Sequence, residues 1–394
     1  LVKGSKYPKK SNNFMDEMNI LIAPDSFKDS LSALKVASAL GRGIQKILPG
    51  ARCTLVPMAD GGEGTVEAVI DATGGETISV SVLDPLMRGI TASYGITGDG
   101  KSAVIEMAAA SGIELLKNSE RDPWITSTFG TGQLIMDALN RRCGRIMVGI
   151  GGSATNDGGA GMAQALGVKF SGKFGDLPVQ GGGALGEVDR IHMEGLDPRI
   201  AGTQVIVACD VTNPLTGPLG ASVVYGPQKG AGEEMVRHLD RNMSHFAATI
   251  RDQLGRSVSE IPGAGAAGGL GAGLMAFLDA RLVKGFDMVA EVVGLEEKIR
   301  KADLVITGEG KLDGQTRFGK TPFGVAQMAK SMGKPVVGVA GIIEGDATVL
   351  YELGFDLLMP IQEKPCDLEY SLKNSEQLLE RTGERMARLI KMEI

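Results

Sequence analysis

Three histidines in 394 residues leave little room for imidazole chemistry, and His192, His238 and His245 all fall outside the glycine-rich loops that carry the other polar residues. His238 and His245 share one face of a helical stretch, which reads as a surface or core-edge arrangement. Cysteine is nearly as scarce: Cys53, Cys143, Cys209 and Cys366 are the four in the chain. No two form a C-x-x-C pair, so the common thiolate metal sites and dithiol redox centres are excluded. They read as small buried apolar residues of a reducing cytoplasm. Aromatic residues make up only 4%, and Trp124 is the single tryptophan, read as a packing residue. Positive charge is not in excess either, with 41 Lys and Arg against 47 Asp and Glu, a net charge of −6. That argues against nucleic acid or an anionic membrane as the main partner, while leaving room for a small anionic substrate.

Long apolar runs are also missing. Residues 1–17 hold Lys3, Lys6, Lys9 and Lys10 but no apolar stretch, so they are not a signal peptide. They are expected to be a flexible leader, with Met18 a natural start. Residues 261–278 carry no charge, yet six of them are glycine and one is proline. A membrane-spanning helix needs ~20 mainly large apolar residues, so this stretch is not one. A soluble, cytoplasmic protein is expected.

What the chain has in abundance is glycine: 57 of 394 residues, about double the usual ~7%. No Gly-X-Y repeat runs through it, which rules out collagen. Hydrophobic residues at 43% rule out a disordered chain.

Periodicity gives the organisation. Residues 19–23 are an apolar run. A helical pattern follows through Leu31, Leu34, Leu40, Ile44 and Leu48 to Pro49-Gly50, and then an alternating strand at 52–58. Strand, helix, strand is most simply a parallel crossover. Residues 76–82 and 90–96 flank a turn at 84–89 and read as a hairpin, so antiparallel pairing enters there. Further strands are expected at 102–107, 145–150 and 204–209, and helices at 133–140, 158–166 and 233–253. Strands at 303–307, 335–340 and 355–361 with helices at 322–332 and 375–390 restore the α/β rhythm. The fold class is therefore α/β with two domains. One is a parallel-sheet domain built from both chain ends, 18–75 plus 285–394. The other is an inserted mixed α/β domain, 76–284. Ligands of open α/β sheets bind at the carboxyl ends of strands, which puts the expected site in the cleft between the two domains.

Five strand ends run into loops of one character: residues 24–29, 59–64, 151–159, 210–215 and 308–313. Each combines small residues with carboxylates or hydroxyls. Glycine lets backbone N–H groups approach phosphate oxygens, and neighbouring carboxylates can hold Mg²⁺. A single such loop could be no more than a tight turn, and Asp29 and Asp157 suit helix N-caps. Five together, with Asp25, Asp60, Glu63, Asp210, Glu309 and Asp313, exceed what turns require.

Two motif matches are weaker. Residues 314–321 fit the P-loop pattern GxxxxGK[ST], but six residues separate them from the strand expected to end at Thr307. Residues 149–154 fit GxGxx[GA] after a strand, in a region where parallel neighbours on both sides are not expected.

Six segments in order, APDSFKDSLSA, PMADGGEGTVEA, GIGGSATNDGGAGMAQALG, CDVTNPL, GAGAAGGLG and TGEGKLDGQTRFGKTP, resemble the bacterial glycerate kinase family, the ATP-dependent glycerate 2-kinases. The resemblance runs from Met18 to nearly the C-terminus. It implies transfer of a phosphoryl group from ATP, with Mg²⁺, to the 2-hydroxyl of D-glycerate, on a Rossmann-like domain carrying an inserted one.

Phosphoryl transfer asks for positioning and charge neutralisation. Asp210 is the first candidate for the base and Asp60 the second. Lys28 is a candidate contact to the glycerate carboxylate or the γ-phosphate, with Asp25, Ser26 and Asn213 beside it as substrate contacts. Gly61, Gly62, Gly151, Gly152, Ser153, Gly268, Gly269, Gly308 and Gly310 are candidates for the phosphate cradle, with Lys320 as a nucleotide contact. Glu63, Glu309 and Asp313 are candidate Mg²⁺ ligands. Two other functions stay open on the residues alone: a nucleotide-binding oxidoreductase, and a non-catalytic binder of a small acid. A homo-oligomer also stays open.

Overall fold

A computed structural model describes residues 18–178, 180–313 and 320–392. The expected leader and residues 314–319 of the P-loop-like match lie outside the described residues. The strands follow in order as β1 (Asn19–Ile22), β2 (Arg52–Leu55), β3 (Glu76–Leu83), β4 (Gly89–Ile96), β5 (Ser102–Glu106), β6 (Arg145–Gly149), β7 (Lys169–Gly172), β8 (Gly175–Asp176), β9 (Arg190–His192), β10 (Gln204–Ala208), β11 (Arg281–Val283), β12 (Leu304–Leu312), β13 (Val336–Ile343) and β14 (Leu357–Pro360). Contacts divide the chain into two compact units. One is formed by the chain ends, up to Met58 and from Val293 onward, and the other by Ala59–Val292.

The end-built unit holds a five-stranded sheet in the order β14-β13-β12-β1-β2, parallel throughout. β1 sits inside it and is almost wholly buried at Ile20, Leu21 and Ile22, as a doubly covered strand requires. The helix Ala33–Ile47 buries Val36, Ala37, Leu40 and Ile44 at three- and four-residue spacing. It packs along the helix Leu368–Lys391, so the first and last helices of the unit close on each other. Arg42 and Lys46 pair with Glu376, Glu380 and Glu384 along the exposed edge of that seam.

The Ala59–Val292 unit holds a six-stranded mixed sheet in the order β11-β10-β6-β5-β4-β3. β3, β4 and β5 are antiparallel neighbours, while β5, β6, β10 and β11 run parallel. The hairpin turn is fixed by buried Asp84, whose Oδ1 accepts from the N–H groups of Leu86 and Arg88 at 2.8 and 2.9 Å. Its core gathers Phe170, Phe246 and Phe277 in mutual ring contact behind the sheet. A small antiparallel sheet, β8-β7-β9, is added in a stretch where the sequence pattern predicts no strand.

Three expectations change. The joints fall after Met58 and before Val293, rather than after 75 and before 285. The reason is packing: the helix Thr65–Thr73 lies on β4 and β5, and the helix Gly285–Val292 lies on β10. Second, β12 does not stop at Thr307 but runs to Leu312, pairing with β13 as far as Ile343. Third, β6 has parallel neighbours on both sides. Residues 149–154 still do not form a dinucleotide fingerprint, because the next helix starts only at Ala160. Among the described residues, no helix is long and apolar enough to cross a membrane. Residues 266–278 are buried nearly throughout, and the left-handed backbone of Ala267, Gly268 and Gly269 breaks the segment before its helical part.

The seam between the first and last helices yields a prediction. A Cβ on Gly43 would collide with the Glu380 carbonyl, and one on Gly383 with the Leu40 carbonyl. Helix propensity alone favours alanine over glycine by about 1 kcal/mol. Overpacking against rigid backbone opposes it by about 1–3 kcal/mol. Gly43→Ala is therefore expected to destabilise the protein in a denaturant titration. A variant as stable as the parent or more so would show that the two helices have room to separate.

Candidate active site

The candidate site is built where β6 and β10 end. Asp60, Gly61, Gly62, Gly151, Gly152, Ser153 and Asp210 line one cavity of about 500 Å³ with Ile113, Cys209, Tyr225, Gln228, Ala266 and Ala267. That volume suits a small-molecule ligand. All these residues belong to the Ala59–Val292 unit.

The main chain makes the arrangement possible. Gly61 has φ +88°, a region that strains other residues, and a Cβ there would stand 2.6 Å from the Ala208 Cβ. A Cβ on Gly285 would strike the Asp60 carbonyl. The Gly285 N–H donates to Asp210 Oδ1 at 3.1 Å, so one glycine packs on the first acidic loop and holds the carboxylate of the second. Asp60 Oδ1 accepts from Gly62 N–H at 3.1 Å. Burial raises the Asp210 pKa above the ordinary carboxylate value, and the charges of Asp60 and Asp287 raise it further. The Gly285 N–H and Lys284 oppose that rise.

The loop after β6 is held from its far side. Ile113 N–H donates to Gly152 O at 2.8 Å, and Ala154 N–H donates to Ser111 O at 2.9 Å. Among the described residues, the N–H groups of Gly151, Gly152 and Ser153 meet no protein acceptor, which leaves three donors at the cavity wall. Further on, Asp157 is fully buried and accepts from the N–H and hydroxyl of Thr128 and from Gly159 and Gly161 N–H. The N-cap of the helix Ala160–Ala165 is Gly159 rather than Asp157, whose carboxylate instead reaches the first turn of that helix at Gly161 N–H. Burial raises the Asp157 pKa against those four donors.

Other expected residues take different places. Gly268 and Gly269 are buried behind the cavity. Gly268 lies against the Thr155 carbonyl and Gly269 against Gly158, so neither is a cavity-lining donor. It is Ala266 and Ala267 that reach the wall, Ala267 with φ +54°, a costly conformation for alanine. Asn213 is a loop tie: its Nδ2 donates to Leu219 O at 2.8 Å, and its Oδ1 accepts from Tyr225 at 2.6 Å. Glu63 is exposed and does not line the cavity.

In the end-built unit, Asp25 Oδ1 accepts from Ser26 N–H at 2.6 Å, Asp25 N–H donates to Gly308 O at 2.8 Å, and Lys28 is exposed. Gly308 and Gly310 lie inside β12, not in a loop after it. A side chain on Gly308 would strike the Val339 carbonyl, so this glycine serves sheet packing. Glu309 pairs with Lys320, and Asp313 with Lys311. Among the described residues no three His, Cys, Asp or Glu form a metal cage.

Three features were not read from the sequence. Lys229 is 1% exposed, and its ammonium donates to Ser153 Oγ at 2.7 Å and Thr155 O at 2.6 Å. Burial pushes its pKa down to about 7, opposed by the charge of Asp157. Glu106, at the end of β5, accepts from Val66 N–H at 2.9 Å and so caps the helix Thr65–Thr73. Its pKa is raised by burial and by the charge of Glu63, against the Val66 N–H. Tyr225 and Gln228 complete the wall. The histidines lie outside it: His192 meets Ser171, His245 meets the Val188 carbonyl, and His238 meets Trp124. Of the cysteines expected to be buried, Cys143 is, Cys53 and Cys209 are half-buried, and Cys366 is exposed because it precedes the final helix on the surface.

Comparison with known proteins bears on this geometry. The glycerate kinase family profile matches residues 20–391. A glycerate kinase of Halalkalibacterium halodurans is 50% identical over 368 residues, 93% of this chain and 97% of the relative. A glycerate 2-kinase of Escherichia coli is 52% identical over 344 residues, 87% and 90% of the two chains. A solved structure of glycerate kinase 2 from Salmonella typhimurium superposes with a TM-score of 0.88 at 47% identity, covering 95% of this chain and 98% of that one. These matches set aside the oxidoreductase and the non-catalytic binder. The chain belongs to the glycerate kinase family and is a small-molecule kinase of the α/β class.

Proposed function

We propose that the cavity at the ends of β6 and β10 transfers the γ-phosphoryl group of ATP to the 2-hydroxyl of D-glycerate, giving 2-phosphoglycerate and ADP. The observation that carries this reading is the meeting of two carboxylates, Asp60 and Asp210, with the N–H groups of Gly151, Gly152 and Ser153, unpaired among the described residues, in one cavity. The glycerate 2-kinase relative supports the choice of hydroxyl.

Asp210 is the base. Burial gives its carboxylate a higher proton affinity than an exposed one, and the Gly285 N–H fixes its direction. The substrate hydroxyl gives its proton to Asp210 as its oxygen bonds to the γ-phosphorus, and the bond from that phosphorus to the ADP oxygen breaks. The three N–H groups of residues 151–153 match the oxygens of a phosphoryl group, where charge gathers during transfer. The donor set suits Mg²⁺, which takes oxygen ligands from one or two carboxylates together with phosphates. Asp60, with Oδ2 unengaged among the described residues, would hold it, and the ion would supply charge neutralisation.

Asp210→Asn is expected to lower kcat by about 100-fold or more while the thermal midpoint stays near that of the parent. Near-normal turnover would remove Asp210 from the base role. A base works deprotonated, so activity is lost as pH falls through its pKa. The parent enzyme should therefore show an acid limb in kcat/KM above the range of an ordinary aspartate, and a limb at or below that range would contradict the assignment.

The regiochemistry is read by phosphorus NMR of the product made from MgATP and D-glycerate. 2-Phosphoglycerate is expected. 3-Phosphoglycerate would keep the kinase and move the attacking hydroxyl, and absence of either would end the proposal.

A further inference from the structure

Lys229 is a buried ammonium that the proposed chemistry leaves without a task. It sits in a short turn, Pro227–Lys229, closed by Gly230 at φ +98°. Two of its three N–H bonds are spent on Ser153 Oγ and Thr155 O, on either side of Ala154. Ser153 itself faces the cavity.

The hydrogen bond to Ser153 has a direction that chemistry dictates. An ammonium has three donors and no lone pair, whereas a hydroxyl has one donor and two acceptor sites. While Lys229 is protonated, it donates and Ser153 Oγ accepts. Ser153 Oγ has no other partner among the described residues, so its own proton is left to point elsewhere, and the open side is the cavity. The same ammonium holds the Thr155 carbonyl, which keeps the turn from rotating.

We infer that Lys229 is a positioning residue: by occupying Ser153 Oγ as an acceptor, it commits the Ser153 hydroxyl proton to an oxyanion of the substrates in the cavity. Ser153 then joins the N–H groups of Gly151, Gly152 and Ser153 as a fourth donor. The inference rests on the proposed phosphoryl-transfer reading of this cavity. A lysine kept only for stability would affect the enzyme independently of Ser153, and this is where the two roles separate.

The test is a double-mutant cycle with Ser153→Ala and Lys229→Met, assayed with MgATP and D-glycerate. It is run at pH 6, below the value of about 7 to which burial pushes the lysine, so that the ammonium is charged. Each single variant is expected to lower kcat/KM about 10-fold, with the loss divided between kcat and KM in the same way in both. The double variant should be no worse than the poorer single one. If Lys229→Met does not fold, as judged by its thermal midpoint, Lys229→Gln takes its place, since its amide can still donate to Thr155 O. Parental kcat/KM in the Lys229 variant overturns the inference, as does a double variant that loses the product of the two single effects. A parent enzyme that forms no phosphoglycerate removes the underlying reading instead. An active parent with multiplicative losses removes this inference alone.

Discussion

At the ends of β6 and β10 main chain rests directly on main chain, and the candidate site follows from that contact. The Asp60 carbonyl occupies the space that a side chain on Gly285 would need. The Gly61 carbonyl stands 2.5 Å from where a Gly149 Cβ would be. Because these groups approach so closely, the acidic loop after β2 lies over the sheet beside the loop after β10, and Gly285 N–H reaches Asp210. Side chains at these positions would spread the loops and part the carboxylates. The glycine wealth of the chain therefore has a local purpose here, which is to let several strand ends meet without filling the space between them.

Close packing of this kind desolvates charge, and each buried charge near the cavity is compensated differently. Asp157 receives four donors and anchors the loop after β6 from within. Lys229 has two acceptors and the field of Asp157 but no direct carboxylate partner among the described residues. Asp210 has a single N–H and the charge of Lys284 in its favour, with the charges of Asp60 and Asp287 against it. An unpaired buried ion costs several kcal/mol, so the order of compensation is informative. The well-satisfied Asp157 is structural, whereas Asp210 keeps a proton affinity that a reaction can use.

Much of this was legible in the sequence, for a physical reason. Strands buried in parallel sheets read as short apolar runs, and loops that must accept anions show glycine beside carboxylates. Both signals are local, so Asp60, Gly151 and Asp210 could be found together. The signal failed where contacts decide. Gly308 and Glu309 look like loop residues, yet their backbone pairs with β13. The helix Thr65–Thr73 follows its strand directly but belongs to the other sheet. Nothing in the string PQKG says that Lys229 is buried, because burial of a lysine is set by residues 74–76 positions away in the chain. Similarly, Gly268 sits in a motif that resembles a phosphate loop, and its lack of a side chain serves the Thr155 carbonyl instead.

Among the described residues, the wall of the cavity carries two carboxylates, Asp60 and Asp210, and no lysine or arginine. A bare nucleotide polyphosphate would meet repulsion from these two carboxylates, since like charges at short range and reduced dielectric disfavour one another. Main-chain N–H groups carry only partial positive charge, and the cations behind the wall, Lys229 at Ser153 and Lys284 near Asp210, offset part of that repulsion. On the proposed reading the nucleotide must arrive with a divalent cation, and the carboxylates then favour the complex over the free anion. On that reading, a polyphosphate without its cation would be disfavoured beside Asp210.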